Sequence, residues 1–157
     1  MLVLLPPSEG KTRPDTGPPL ELDQLHFPRL GPVREQVLRT LVRVSAGNPR
    51  RAAEVLGLGP TQADVLEINA GLATEPASRA DEVYTGVLFS ALDLPSLAPD
   101  VRERADATLA VASALFGLVR PDDLIPAYRL SGTVALPRLG PVAGRWRPVL
   151  PRVIAET

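Results

Sequence analysis

Between Ala110 and Val119 the chain runs for ten residues without a charge, and it then places Arg120, Asp122, Asp123, Tyr128 and Arg129 in one segment punctuated by Pro121 and Pro126. Apolar side chains in a run that long are removed from water in a folded domain, so the polar cluster that follows is carried to the rim of the core. The run from Thr108 to Val119 is continuous rather than alternating. It is therefore expected as an interior strand covered on both faces, with Ser113 and Gly117 as the points where it can bend.

The other elements are read outward from this segment. A chain of 157 residues fits one domain with a real core. Met1 to Leu5 is expected as a buried strand stopped at Pro6-Pro7. Ser8-Glu9-Gly10-Lys11-Thr12 follows it as a glycine-containing turn, a setting in which backbone N–H groups and an ammonium hold phosphate. The second glycine and the spacing of a Walker A loop are missing. Lys11 is the only lysine among 17 basic residues. A position that keeps a compact, movable ammonium in an arginine-rich chain points to a special role, and chance survival of one lysine is the plainer alternative.

Residues 13–28, rich in proline and glycine, read as an extended surface loop in which His26 is a structural histidine. Gly31-Pro32 opens a helix with an apolar stripe of Val33, Val37, Leu38, Leu41 and Val44, while Arg34, Arg39 and Arg43 decorate its other faces. A second helix runs from about Pro49 to Leu56. The hydrophobic-Gly-hydrophobic-Gly pattern around Gly57 and Gly59 makes residues 49–69 resemble a helix-hairpin-helix, whose backbone N–H groups grip a DNA phosphate. Pro60 removes one donor and Glu54, Asp64 and Glu67 carry the wrong sign, so a ligand-free helix connection is the competing reading. Farther on, Tyr84 and Gly86 mark a strand-to-helix bend, Asp100 to Asp106 a short charged helix, and Arg145 the start of a last helical stretch.

Charge is distributed in blocks. Residues 29–53 hold six arginines against Glu35, residues 54–106 ten acids against three arginines, and residues 120–155 six arginines against two aspartates. If the fold joins the two basic blocks, an anion-facing surface results; solvated helix faces are the alternative. With no cysteine there is neither a disulfide nor a thiolate site, and one histidine makes a zinc cluster improbable. No cofactor is expected. No apolar stretch has the length of a membrane span and Leu2 to Leu5 is too short for a signal peptide, so a cytoplasmic protein without a membrane partner is expected.

Ser113-Ala-Leu-Phe-Gly-Leu-Val-Arg-Pro-Asp-Asp-Leu-Ile-Pro-Ala-Tyr-Arg-Leu130 resembles the hallmark segment of the YaaA peroxide stress protein family. Leu-Leu-Pro-Pro-Ser-Glu-Gly-Lys-Thr near the start, Val83-Tyr-Thr-Gly86 and Trp146 resemble further elements of that family in the same order. Asp122 stands where the family has an apolar residue, Ala127 where proline is common and Ser131 where one branch has an acid. The resemblance implies an α/β (α+β) fold over residues 1–157, a single domain with a mixed sheet surrounded by helices and a positively charged cleft. The family's further C-terminal strands have no counterpart in this chain, so the resemblance implies a domain incomplete at that end. It also implies a cytoplasmic stress-response protein that limits free intracellular iron and binds DNA, double-stranded or junction, without regard to sequence.

The chemistry of the cluster is legible without the family. Arg120 and Arg129 present forked donors suited to phosphate, Asp123 is expected to orient one of them, and Tyr128 either stacks on a base or packs. Ser113 has no base near it in sequence, so a serine nucleophile is disfavoured. The candidate ligand- and phosphate-binding residues are Ser8, Lys11, Thr12, Tyr84, Gly86, Ser113, Arg120, Asp123, Tyr128 and Arg129. Arg39, Arg43, Arg50, Arg51, Gly57 and Gly59 are the candidates for the DNA backbone, and no catalytic residue is assigned. Two functions fit: a stress-response DNA-binding protein, or an enzyme acting on a nucleotide or nucleobase in an anion-binding pocket. Direct iron sequestration is disfavoured by the donor set.

Overall fold

The computed structural model describes residues 1–157. A short strand, β1 (Val3–Leu5), opens the chain, and Pro6 and Pro7 stop it because neither can donate to a ladder. An extended passage with two 3-10 turns leads into α1 (Gly31–Ser45), where Pro32 occupies the first turn. α2 (Pro49–Leu56) begins at Asn48, whose side-chain oxygen accepts the Arg51 amide at 3.1 Å. It ends at Gly57, whose φ of +64° is the left-handed conformation that a side chain disfavours. α3 (Ala63–Ala70) packs on both α1 and α2.

Next come β2 (Ser78–Arg79), the single turn α4 (Ala80–Val83), α5 (Val87–Leu92) and α6 (Pro99–Thr108). The apolar run then supplies β3 (Leu109–Ser113) and β4 (Gly117–Val119). β5 (Leu124–Ile125), β6 (Ala135–Leu136), β7 (Gly140–Pro141), α7 (Val142–Trp146) and α8 (Leu150–Ala155) complete the chain. The main sheet is mixed and three-stranded in the order β1-β3-β4, with β1 parallel to β3 and β4 antiparallel to it. Two small antiparallel pairs, β2-β5 and β6-β7, flank it, so the expected α/β domain with a mixed sheet among helices is what the chain forms.

Three expectations about these elements change. First, the apolar run is a tight hairpin rather than one interior strand. Ser113 Oγ accepts the Phe116 amide at 3.0 Å, and Gly117 takes φ +76°, so the chain reverses across Ala114, Leu115 and Phe116. Second, β1 is an edge strand and not a buried one: Val3 and Leu4 are 38% and 46% exposed. Third, Arg34 does not decorate a solvent face of α1. It is entirely buried, and its guanidinium donates to Phe116 O at 2.9 Å, Leu118 O at 2.7 Å and His26 O at 2.7 Å.

This arginine holds α1 to the hairpin. Backbone carbonyls at a turn and on an edge strand need donors when water is excluded, and a planar fork satisfies several at once. Burial pushes the guanidinium down to about 10, and the carboxylate of Asp123 opposes that effect. The space around the turn is equally constrained. A Cβ on Gly117 would lie 2.8 Å from the Trp146 ring and 3.2 Å from Leu30 Cδ1.

These contacts set the stability expected of three variants. Arg34→Met leaves the Phe116, Leu118 and His26 carbonyls without their donor, with an expected loss of about 3–5 kcal/mol in urea unfolding. Glu35→Gln, on the exposed side of the same helix, should change stability by less than about 0.5 kcal/mol. Gly117→Ala combines left-handed strain with a clash against a buried ring, and the same measurement should show a loss of about 2–4 kcal/mol.

Candidate anion-binding site

The turn after β1 is strapped against the segment that follows α4. Thr12 donates its amide to Val83 O at 2.8 Å, Thr85 donates to Gly10 O at 3.2 Å, and Lys11 bridges Tyr84 in antiparallel fashion. The Ser8 hydroxyl donates to Gly10 O at 2.6 Å and accepts the Thr85 amide at 3.1 Å. Ser8 is thereby engaged in fixing the loop. The approach is close: a Cβ on Gly10 would meet Thr85 Oγ1 at 2.8 Å, and Gly86 adopts φ +106° beside Ser8.

Under this loop lies a chain of three hydroxyls. Tyr128 Oη stands 2.8 Å from Tyr84 Oη and 2.7 Å from Ser113 Oγ. Phe89 stacks on Tyr84 and Phe116 meets Tyr128 edge-on, each with centroids 5.4 Å apart, so both phenols sit in apolar walls. Burial raises both phenols above the ordinary tyrosine value, and they stay protonated across the neutral range.

Lys11 closes the top of this chain. Its Nζ lies 4.4 Å from the Tyr128 ring centroid and 5.5 Å from that of Tyr84, and it donates to Ser8 O at 2.9 Å. Burial and the nearby Arg129 guanidinium lower its pKa to about 8, with Glu9 acting in the opposite direction. Arg129 is positioned by Asn69 of α3, which is fully buried. Its amide nitrogen donates to Arg129 O at 2.9 Å, and its oxygen accepts the Arg129 amide at 3.0 Å.

Neither Lys11 nor Arg129 is ion-paired, whereas the arginines Arg13, Arg29, Arg79, Arg102 and Arg152 each have a carboxylate partner within 3.4 Å. Both line one cleft of about 800 Å³ together with Ser8, Glu9, Ser113, Tyr128, Trp146 and a third cation without a salt bridge, Arg147. Gly57, at the end of α2, forms part of the same wall. The fold also joins the two basic blocks: Arg145 of α7 donates to Gln36 Oε1 of α1 at 2.7 Å.

The structure thus unites Ser8, Lys11, Ser113, Tyr128 and Arg129, with Tyr84 directly behind and Gly86 at the loop's edge. Thr12 contributes its backbone to the strap. Arg120 and Asp123 lie elsewhere. Arg120 donates to the carbonyls of Ala107 and Leu109 at the end of α6 and covers the Phe27 ring at 5.1 Å, in a separate recess with His26 and Asp122.

Asp123 does not orient an arginine fork, as the sequence suggested. Its carboxylate accepts the Arg120 amide at 2.7 Å and the His26 amide at 2.9 Å, and it stands 2.9 Å from His26 Nδ1, so it pins the loop by backbone contacts. His26, bonded to that carboxylate through both its ring and its amide, takes the structural part expected of it. Arg39, Arg43, Arg50 and Arg51 are exposed on α1 and α2, with Arg39 3.7 Å from Glu35. In the α2–α3 hairpin the amides of Gly57 and Leu58 bond to Glu54 O and Ala53 O, and that of Gly59 to Gln62 Oε1.

Asn69, Arg147 and the burial of Arg34 had no local sequence signal. Asn69 reads as one more polar helix residue until the fold places it opposite Arg129. No three of the His, Asp or Glu side chains approach closely enough to hold a metal ion. No helix is long and apolar enough to cross a membrane.

Comparison with known proteins adds a family. Residues 1–157 match a family model described as peroxide stress protein YaaA. A UPF0246 protein of Streptomyces coelicolor is 46% identical over 156 residues, which is 99% of this chain and 60% of that protein. UPF0246 proteins of Corynebacterium efficiens and Corynebacterium glutamicum are 44% and 39% identical over 137 and 150 residues, or 87% and 93% of this chain. The chain spans 53–60% of the length of these three relatives.

As the sole lysine, Lys11 gives one side-chain resonance to follow in an NMR titration. Its midpoint should fall near 8, and Arg129→Gln should move it upward by removing a like charge. The sign for stability follows from linkage: the folded value lies below the unfolded one of 10.5, so the Lys11 contribution grows as pH rises from about 8 toward 10.5.

Proposed function

The chain belongs to the YaaA peroxide stress protein family, and from that premise we propose that it serves the peroxide stress response by binding nucleic acid along its basic cleft. The observation that carries this reading is the pair of unpaired cations, Lys11 and Arg129, held in one cleft with Arg147. The charges of Lys11 and Arg129 repel each other, Glu9 on the same wall offsets that repulsion only in part, and a bound phosphate relieves it. The exposed Arg43, Arg50 and Arg51 of α1 and α2 extend the positive surface past Gly57. Because the amides of Gly57, Leu58 and Gly59 are engaged within the hairpin, residues 49–69 act in this reading through their arginines rather than through a helix-hairpin-helix amide grip. Limitation of free iron is proposed to follow from this stress role and not from direct binding of the metal.

A second reading is favoured by the hydroxyl chain of Ser113, Tyr128 and Tyr84 beneath Lys11, a proton-handling arrangement that phosphate contacts alone do not require. In it the same cleft takes a nucleotide as the substrate of an enzyme.

Duplex and four-way-junction titrations across salt test the first reading. Affinity should fall steeply with salt, by a slope of about 0.9 for each neutralised phosphate, and depend little on base sequence. Lys11→Met and Arg129→Ala should each flatten the slope by about 1. Binding that is salt-independent, or unaltered in the double variant, overturns it. Thermal stabilisation by a mononucleotide at concentrations where DNA has no effect selects the enzyme.

A further inference from the structure

We propose that Lys11 is an imine-forming nucleophile, and that its cleft takes an aldehyde carried next to a phosphate group. The proposal rests on the anion-binding reading of this cleft and adds a covalent step to it.

The geometry leaves the Lys11 amine open to the cleft and without an acid partner. Two carbonyl oxygens face Nζ, Ser8 O at 2.9 Å and the more distant Glu9 O at 3.5 Å. These two contacts leave at least one tetrahedral direction of Nζ free, the direction a lone pair takes once the amine has lost its proton. No carboxylate pairs with Lys11 to hold it as an ammonium. The charged groups around it are Arg129 and Glu9, with Arg147 elsewhere on the cleft wall, and its other neighbours are the protonated phenols of Tyr84 and Tyr128. Burial first and the Arg129 charge second lower the amine to about 8 against the opposing pull of Glu9, so a fraction is nucleophilic at neutral pH.

The rest of the cleft serves the other parts of the reaction. Arg129, clamped by Asn69, can hold a phosphate and so position the aldehyde. The amine lone pair attacks the carbonyl carbon and forms the C–N bond, while the carbonyl oxygen takes up a proton. The C–O bond of the resulting carbinolamine then breaks and water leaves. The aldehyde and the lysine ammonium thus become a protonated imine and one water, with no oxidant or reductant. Tyr128 and Ser113 line the cleft and are joined by a 2.7 Å hydrogen bond, a pair able to supply and recover the proton. The product keeps its positive charge over the Tyr128 and Tyr84 rings, which stabilise it. A free sugar phosphate and the ring-opened sugar of an abasic site in DNA share the required chemistry.

Reductive trapping tests the proposal. The chain is incubated with sodium cyanoborohydride and 2-deoxyribose 5-phosphate, a duplex bearing one abasic site, or unphosphorylated 2-deoxyribose, and the adduct is located by peptide mass. With Lys11 the sole lysine, the one competing amine is that of Met1, which is 98% exposed. A single adduct on Lys11 is expected, formed at least roughly tenfold faster with a phosphate-bearing aldehyde than with the sugar alone. The faster of the two phosphate-bearing arms identifies the source. Its rate should rise roughly fifteenfold from pH 6.5 to 8 and then level off. Lys11→Arg should abolish it, with thermal melting reporting that the variant folds.

Equal labelling in Lys11→Arg, no preference for phosphate, or a rate still climbing at pH 10 overturns the proposal. Loss of trapping alongside salt-dependent DNA binding sinks the imine and spares the nucleic-acid reading. Trapping of the sugar phosphate without DNA binding does the reverse.

Discussion

A single buried guanidinium sets the geometry of this domain. Arg34 reaches from α1 into the turn of the β3–β4 hairpin and donates to three carbonyls from two separate segments, so that helix, hairpin and the His26 loop share one fixed point. Its charge is opposed from the other side by Asp123, which in turn fixes the backbone of His26 and Arg120. Removing water from these groups makes each partner necessary to the others: a carbonyl without its donor, or a charge without its counterpart, has nowhere else to turn. The polar segment after the apolar run is thus divided. Asp123 and Arg120 face the scaffold, and Tyr128 and Arg129 face the cleft.

The cleft depends on that scaffold by short steps. The hairpin turn that Arg34 holds also places Ser113 against Tyr128, and Trp146 donates its indole N–H to Ala114 O at 2.8 Å, fixing the wall opposite. From the other direction, the strap of residues 8–12 on residues 83–85 carries Lys11 over the phenols. Asn69 then sets Arg129 by its backbone and leaves the side chain unpaired. Two neighbouring cations whose repulsion Glu9 offsets only in part are costly to hold, and an anion that approaches them is correspondingly favoured.

Local patterns in the sequence were informative where a residue's role follows from its own chemistry. The Gly31-Pro32 start and 3.6-residue stripe of α1, the Asn48 cap of α2 and the glycine at its end all fold as their types dictate. Lys11 stood out as the one lysine among arginines, and the pairing of Lys11 with Tyr84 and the 113–129 segment was suggested by motifs in order along the chain. Strand character was less legible. A continuous apolar run is equally consistent with a buried strand and with a hairpin whose turn is also buried, and only the φ of Gly117 and the cap by Ser113 distinguish them. β1 is apolar enough for a core strand, yet it lies at the sheet edge, because edge position is a property of the neighbours and not of the strand.

What the sequence determined by itself was the first helices, the family and the chemical character of the cluster: forked donors, phenols, one ammonium and no thiol. Only the tertiary structure decided which of these groups meet. Arg34, Arg120 and Arg129 are the same residue type, and nothing in their neighbours along the chain marks one as a core staple, one as a carbonyl anchor and one as an open anion ligand. That assignment rests on which carbonyls and carboxylates lie within hydrogen-bond reach of each guanidinium: Arg34 meets carbonyls 82 and 84 positions away, Arg120 meets those 11 and 13 away at the junction of a helix and a strand, and both sets exist only once the chain has closed on itself.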